Sequence, residues 1–144
     1  MLLLTITVPC ETENPLQLFR IQLTKQKNNR LQQESDSKEK EKKEVPLICI
    51  HCSAAITTSK QAISVKGHHE HAFFNPAGIA FEIRCFRQAP GCQVRGKPTT
   101  EFSWFDGYSW QLATCNSCLA QLGWFFMSAR NKNSFFGLIT SKVI

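Results

Sequence analysis

The feature that most constrains this chain is a pair of cysteine knuckles, Cys49-Ile-His-Cys52 and Cys115-Asn-Ser-Cys118. Two thiolates separated by two residues converge on one ion through a tight backbone turn. Two such turns complete a tetrahedron, so the pattern predicts a Zn(Cys)4 site. The 62 residues between Cys52 and Cys115 are more than a zinc ribbon uses. The metal is expected to staple the two ends of a domain, and closing so long a loop constrains the unfolded chain strongly. Metal binding is then itself folding free energy. Four thiolates leave no open coordination position, which makes the zinc structural rather than catalytic. Redox pairs and disulfides compete for the same cysteines. A catalytic dithiol ordinarily stands alone, however, and two matched knuckles are better explained by metal. His51, inside the first knuckle, is read as a neighbour of the site because the cysteines already satisfy the spacing.

Composition divides the chain close to the first knuckle. Residues 1–46 hold one aromatic residue, Phe19, and no glycine, whereas residues 47–144 hold the other 14 aromatics, all seven glycines and six of the seven cysteines. The first part carries eight Lys/Arg against seven Asp/Glu, a net +1, and the second nine against four, a net +5. The four thiolates and a Zn2+ would lower the second figure to +3. The expected organisation is a polar N-terminal extension, 1–46, followed by a folded domain, 47–144. Within the extension, the run from Glu34 to Glu44 mixes both signs and has no apolar residue. Such a segment buries too little apolar surface to offset its ordering entropy and is expected to be partly disordered. Residues 1–8 are apolar but lack a basic start and a small-x-small cleavage site, so a strand or arm is favoured over a signal peptide and the location is expected to be cytoplasmic. No apolar run approaches the roughly 18–20 residues of a membrane-spanning helix, so no membrane association is expected.

The domain reads as mainly β. Ala62–Val65, Ala72–Phe74, Ile79–Phe86, Tyr108–Ala113, Gly123–Met127 and Phe135–Ile139 are short β-prone runs. Asn75-Pro-Ala-Gly78, Ala89-Pro-Gly91, Gly96-Lys-Pro98 and Asp106-Gly107 are turn signals between them. Many short strands with regular turns predict antiparallel sheets, and a thin core of this size gains from a metal staple. Gly67-His-His-Glu-His71 resembles a metal tract, but no second cluster exists to complete a site, and a polar strand or turn is the preferred reading. Cys85 and Cys92 are either a disulfide or free thiols, and a cytosolic setting favours the reduced form. Cys10 stands alone in the extension.

All three tryptophans lie late in the chain: Trp104 and Trp110 flank the turn in Ser103-Trp-Phe-Asp-Gly-Tyr-Ser-Trp110, and Trp124 follows the second knuckle. Tryptophan most often serves as core. If the knuckle folds the chain back, though, the three indoles converge into a box suited to a flat or cationic ligand.

Taken in order, the two knuckles, Asn75-Pro76 with Gly78, Gly96-Lys-Pro98, Glu101-Phe-Ser-Trp-Phe-Asp-Gly-Tyr-Ser-Trp110, Leu122-Gly-Trp124 and Phe135-Phe-Gly-Leu138 resemble the thalidomide-binding, or CULT, domain family, and its bacterial single-domain members most closely. The resemblance spans residues 47–144 and leaves the extension uncovered. It implies two antiparallel sheets meeting at an angle, a β-tent, pinned by the zinc. It also implies a pocket walled by Trp104, Trp110 and Trp124 that admits a cyclic imide edge-on. The imide N–H and one carbonyl would bond to backbone at Phe102, and the other carbonyl to the Trp104 indole N–H. The resemblance further counts Asn75, Pro76, Glu101, Ser103 and Phe126 among the ligand-binding positions, with Phe126 closing the pocket by an aromatic edge. Eukaryotic members commonly carry His at the positions of Ala77, Phe102 and Gln121 and Pro at that of Asp106. Phe102 therefore keeps the backbone bonding but makes the rim more apolar.

The expected function is a non-enzymatic binding module for cyclic imides, either glutarimide-like molecules or peptides ending in a cyclised glutamine or asparagine. A methionine sulfoxide reductase-like oxidoreductase on a similar zinc β-fold is the alternative. That chemistry needs a nucleophilic cysteine outside the zinc site, for which only Cys85 and Cys92 are in-domain candidates. Nucleic acid is not an expected partner, because the basic residues are scattered rather than interleaved with aromatics. Nor is a ligase adaptor, since the extension is short. Glu70, Glu82, Glu101 and Asp106, the acids of residues 47–144, offer no pair for acid–base work, although Glu101 is close enough to the box to meet a ligand.

Overall fold

The computed structural model describes residues 43–144. The expectations for residues 1–8, for Cys10 and for most of the polar run lie outside the described residues. Eight strands form: β1 (Pro46–Ile48), β2 (Ala55–Thr58), β3 (Glu70–Phe74), β4 (Ala80–Phe86), β5 (Cys92–Thr99), β6 (Tyr108–Cys115), β7 (Gln121–Ser128) and β8 (Ser134–Ile139). Among the described residues the only helical element is a 3-10 turn, Ser59–Gln61. Strands β1 and β2 make a two-stranded sheet, and the rest make a six-stranded sheet in the order β3-β4-β8-β7-β6-β5. Every pairing is antiparallel. The expectation of a mainly β domain with two antiparallel sheets and a cysteine cluster is borne out.

Two sequence expectations change. Gly96-Lys-Pro98, read as a turn, lies inside β5, where the register against β6 slips between Arg95 and Thr99. Gly96 adopts a φ of 85° and its carbonyl accepts from Gln111 Nε2 at 2.7 Å. A bulge at a sheet edge requires the same residue chemistry as a turn. Conversely, Ala62–Val65 is no strand. Ala62 and Val65 make only isolated bridges, to Phe86 and His68, because the chain there reverses through Lys66 and Gly67, both at positive φ. The histidines take the polar reading: His69 Nδ1 lies 3.0 Å from the Ile63 carbonyl and His71 Nε2 3.1 Å from that of His68.

Two apolar clusters divide the interior. Leu47, Cys49, Ile56, Phe86, Leu122 and Val143 belong to the first, beside the knuckles. Ile83, Cys85, Phe105, Phe126, Phe135 and Ile139 form the second, against which all three tryptophans pack. The chain's last residues tie back to β1, with Ile48 and Ile144 exchanging backbone bonds at 2.7 and 3.0 Å. Phe105 is fully buried and presents edge-to-face contacts to Phe126 and Phe135 at centroid distances of 4.9 and 5.0 Å. Burying one such ring contributes on the order of 1.5–3 kcal/mol. Here it also fixes the turn that Trp104 and Trp110 flank.

Candidate functional site

The four knuckle cysteines meet. Cys49 directly follows β1, Cys115 ends β6, and Cys118 lies in the turn before β7. Their sulfurs all lie within 4.8 Å of one another, with Cys49–Cys118 and Cys52–Cys115 separations of 3.8 and 3.5 Å. A tetrahedron with Zn–S bonds of about 2.3 Å has sulfur–sulfur edges of about 3.8 Å, so the donor set fits zinc. The knuckles repeat one backbone design. Ser53 N–H donates to the Cys49 carbonyl at 2.8 Å and Leu119 N–H to that of Cys115 at 2.9 Å. Cys49 N–H donates to Ala54 at 2.9 Å and Cys115 N–H to Ala120 at 2.8 Å. Ser53 and Leu119 sit at φ of 62° and 65°, the left-handed conformation that turns each loop back. Burial opposes charge on Cys115, but N–H groups of Cys118 and Ser117 and the thiols of Cys52 and Cys118 outweigh it and bring its thiol down to about 7. This is the state a metal ligand needs. Among the described residues no other group of three metal-ligating side chains comes together, and His51 is exposed and outside this one.

The three tryptophans meet as well. A cavity of about 360 Å3 is lined by Trp104, Trp110 and Trp124 together with Phe81, Phe102 and Phe126, and by the polar or cyclic side chains of Asn75, Pro76 and Gln121. That volume is within the range of small-molecule sites, roughly 300–1,000 Å3. Trp104 comes from the turn before β6, Trp110 from β6, and Trp124 and Phe126 from β7, where Trp110 faces Phe126 in register. Trp104 and Trp124 pack edge to face, with centroids 4.6 Å apart and planes at 71°. Phe73 stacks on the outer face of the assembly against Trp104, at 5.0 Å and 10°, and Phe81 braces Trp124 at 5.1 Å.

The two wall indoles that flank the turn are both tied down. Trp110 Nε1 donates to the Glu101 carbonyl at 2.8 Å. Trp104 Nε1, which the family resemblance assigns to a ligand carbonyl, donates to the Phe74 carbonyl at 3.0 Å. Phe102, two residues before Trp104, adopts a φ of 54° and stands 73% exposed while lining the cavity. Its neighbours are held by Glu101 N–H to Thr99 Oγ1 at 3.2 Å and Ser103 N–H to the Thr100 carbonyl at 3.3 Å.

Seven of the nine expected pocket positions line the cavity: Asn75, Pro76, Phe102, Trp104, Trp110, Trp124 and Phe126. Glu101 and Ser103 are not among the lining residues. Glu101 contributes its carbonyl to Trp110, and the Ser103 hydroxyl donates to the Phe105 carbonyl at 3.1 Å. Phe81 and Gln121 line the cavity without having been expected. Alternation along Ile79–Phe86 offers a signal for Phe81, since Phe81, Ile83 and Cys85 share a face. No comparable pattern marks Gln121, because the β6–β7 register slips beside it, between Ala113 and Thr114.

Cys85 and Cys92 are both free. Burial pushes the Cys85 thiol up to about 12. Burial, with the nearby Cys115 and Cys49 thiols, does the same for Cys92. Neither thiol lines the cavity. No helix among the described residues is long and apolar enough to cross a membrane.

No family model matches the chain. Similarity to individual proteins is clear. The chain is 34% identical over 104 residues to protein cereblon of Danio rerio, covering 68% of this chain and 24% of that protein. It is 36% identical over 101 residues to protein cereblon of Xenopus tropicalis, covering 66% and 22%. It is 31% identical over 110 residues to protein cereblon of Drosophila melanogaster, covering 71% and 18%. The chain thus spans about a quarter or less of the length of these curated relatives.

Proposed function

Since this chain belongs to the cereblon family through its thalidomide-binding (CULT) domain, we propose that it is a non-enzymatic module that captures cyclic imides in the three-tryptophan box. The observation that carries the reading is the convergence of Trp104, Trp110 and Trp124 on one cavity whose mouth is a backbone turn at Phe102. Indole faces hold a flat ring by dispersion and exclude water from it. Main-chain groups of the turn then read the imide through directional hydrogen bonds, which gain strength in the desolvated box. Because the turn reads the ligand through its backbone, the Phe102 side chain is free to differ from the histidine common in eukaryotic members. The Trp104 indole N–H is the second reader. A ligand carbonyl takes it over from the Phe74 carbonyl, so binding exchanges one hydrogen bond for another rather than creating one.

Zinc held by Cys49, Cys52, Cys115 and Cys118 supplies stability and takes no part in binding. An oxidoreductase reading is disfavoured by the two spare thiols of the described residues, Cys85 and Cys92, since burial keeps both protonated at neutral pH and neither lines the cavity.

Isothermal titration of the zinc-loaded chain with glutarimide and with thalidomide tests the proposal. Saturable one-site binding is expected, and Trp110→Ala should abolish it while zinc content stays at one ion per chain. Absence of heat with both ligands at millimolar concentration would sink the reading.

A further inference from the structure

The two cysteines that the metal does not use are placed differently. Cys85 belongs to the cluster behind the box. Cys92 packs against the first cluster, which contains the ligands Cys49 and Cys115. Cys92 opens β5 and stands directly across from Cys115, the last residue of β6. Residues paired across antiparallel strands point to the same face of the sheet, so the Cys92 side chain shares the face that carries the Cys115 sulfur. The pair is of the kind that exchanges no backbone bonds. Cys92 N–H donates to the Ala89 carbonyl at 2.9 Å and Cys115 N–H to that of Ala120 at 2.8 Å, while the flanking Asn116 N–H donates to the Gly91 carbonyl at 2.9 Å. Such pairs bring their Cα atoms to about 4.5 Å, and a disulfide spans Cα separations of about 4.4–6.8 Å. The register is held on both sides. Thr114 Oγ1 donates to the Gln93 carbonyl at 3.3 Å. A Cβ on Gly91 would lie 2.1 Å from the Ala55 carbonyl oxygen, so the chain entering β5 is pressed against β2. Two of the four ligands, Cys52 and Cys118, are exposed, which lets small solutes reach the sulfur cluster.

We infer that Cys92 is an oxidation site coupled to the metal: under peroxide it forms a disulfide with Cys115 and so takes one ligand from the zinc. The Cys115 thiolate attacks one peroxide oxygen, the O–O bond breaks, and a sulfenic acid forms as hydroxide leaves. The Cys92 thiol then attacks the same sulfur. The S–S bond forms as the S–O bond breaks, and the thiol proton leaves with the hydroxyl as water, so the step needs no free thiolate at Cys92. The two sulfurs together lose two electrons, and the peroxide gains them in becoming one hydroxide and one water. Three thiolates hold zinc less tightly than four, and the metal is released. The new cross-link closes residues 93–114, the stretch that carries Phe102, Trp104 and Trp110, and limits how far that stretch can unfold. A thiol reductant reopens the bond and returns Cys115 to the metal. The box is thereby placed under reversible redox control through its zinc.

The test treats the full zinc-loaded chain with equimolar hydrogen peroxide, beside a chromophoric chelator too weak to strip the untreated protein. Disulfides are then mapped by tandem mass spectrometry of an unreduced digest. Cys92–Cys115 should be the main disulfide, with about one zinc released for each one formed. Cys92→Ala should lose that product and keep most of its zinc under the same treatment. Dithiothreitol with added zinc should restore the metal content of the oxidised wild type. Disulfides confined to Cys49, Cys52, Cys115 and Cys118 overturn the inference, as does zinc release from Cys92→Ala equal to that of the wild type. Loss of metal that dithiothreitol cannot reverse overturns the reversible control. Zinc content before oxidation shows whether the variant folds. If Cys92→Ala fails to load, Cys92→Ser takes its place, and if neither loads, the disulfide map of the wild type decides alone.

Discussion

At the scale of single residues, the knuckles show how an ordinary side chain is made to do a glycine's work. Leu119 sits at a φ of 65° and is 51% exposed, so its side chain returns little burial for a conformation that costs a non-glycine residue on the order of 1 kcal/mol. Leu119→Gly should raise the denaturation free energy of the zinc-loaded protein by up to about 1 kcal/mol, net of glycine's greater freedom when unfolded. A urea midpoint shift at constant slope checks it. The metal ligands themselves are legible residue by residue, because zinc imposes a spacing that few other functions share. The pocket positions are less so. Asn75 and Phe102 follow from resemblance, whereas Gln121 enters the cavity only through a register slip between β6 and β7, a tertiary event that leaves no mark on local spacing.

Among the elements, β7 and β8 form the centre of the six-stranded sheet, and they approach closely at Gly123, which pairs with Leu138 one position from Gly137. A Cβ placed on Gly123 would lie 2.1 Å from the Gly137 carbonyl oxygen and 2.9 Å from Leu138 Cα. Both obstacles are backbone and cannot swing aside. Gly123→Ala should therefore cost about 3 kcal/mol or more, read as a lowered thermal midpoint, and it should loosen Trp124, the next residue, more than it disturbs the knuckles. Strands β4, β6, β7 and β8 were legible from β-prone runs bounded by turn residues. The bulged edge strand β5 was not, because Gly96 and Pro98 serve a bulge and a turn alike. Nor were β1 and β2, at three and four residues. They are too short to show a period, and β1 leads directly into Cys49.

Over the whole molecule, the two apolar clusters assign two tasks to one small domain: the first surrounds the metal and the second backs the box. Ligand and metal should therefore stabilise the same cooperative unit from opposite ends. A cyclic imide at one hundred times its dissociation constant should add about 2.7 kcal/mol and raise the melting temperature by on the order of 10 °C. Stripping the zinc with a strong chelator should remove that ligand response together with the fold, and differential scanning calorimetry on loaded and stripped protein measures both. The tryptophans give the domain one more property. The chain contains three of them, and all three line the cavity, so its indole emission originates wholly at the box. Trp104 and Trp124, edge to face at 4.6 Å, are close enough for their excited states to mix, and mixed transitions set at an oblique angle rotate polarised light as a paired band of opposite signs. The domain thus carries a built-in, label-free optical reporter, whose far-ultraviolet couplet should change when a guest alters the angle between two rings.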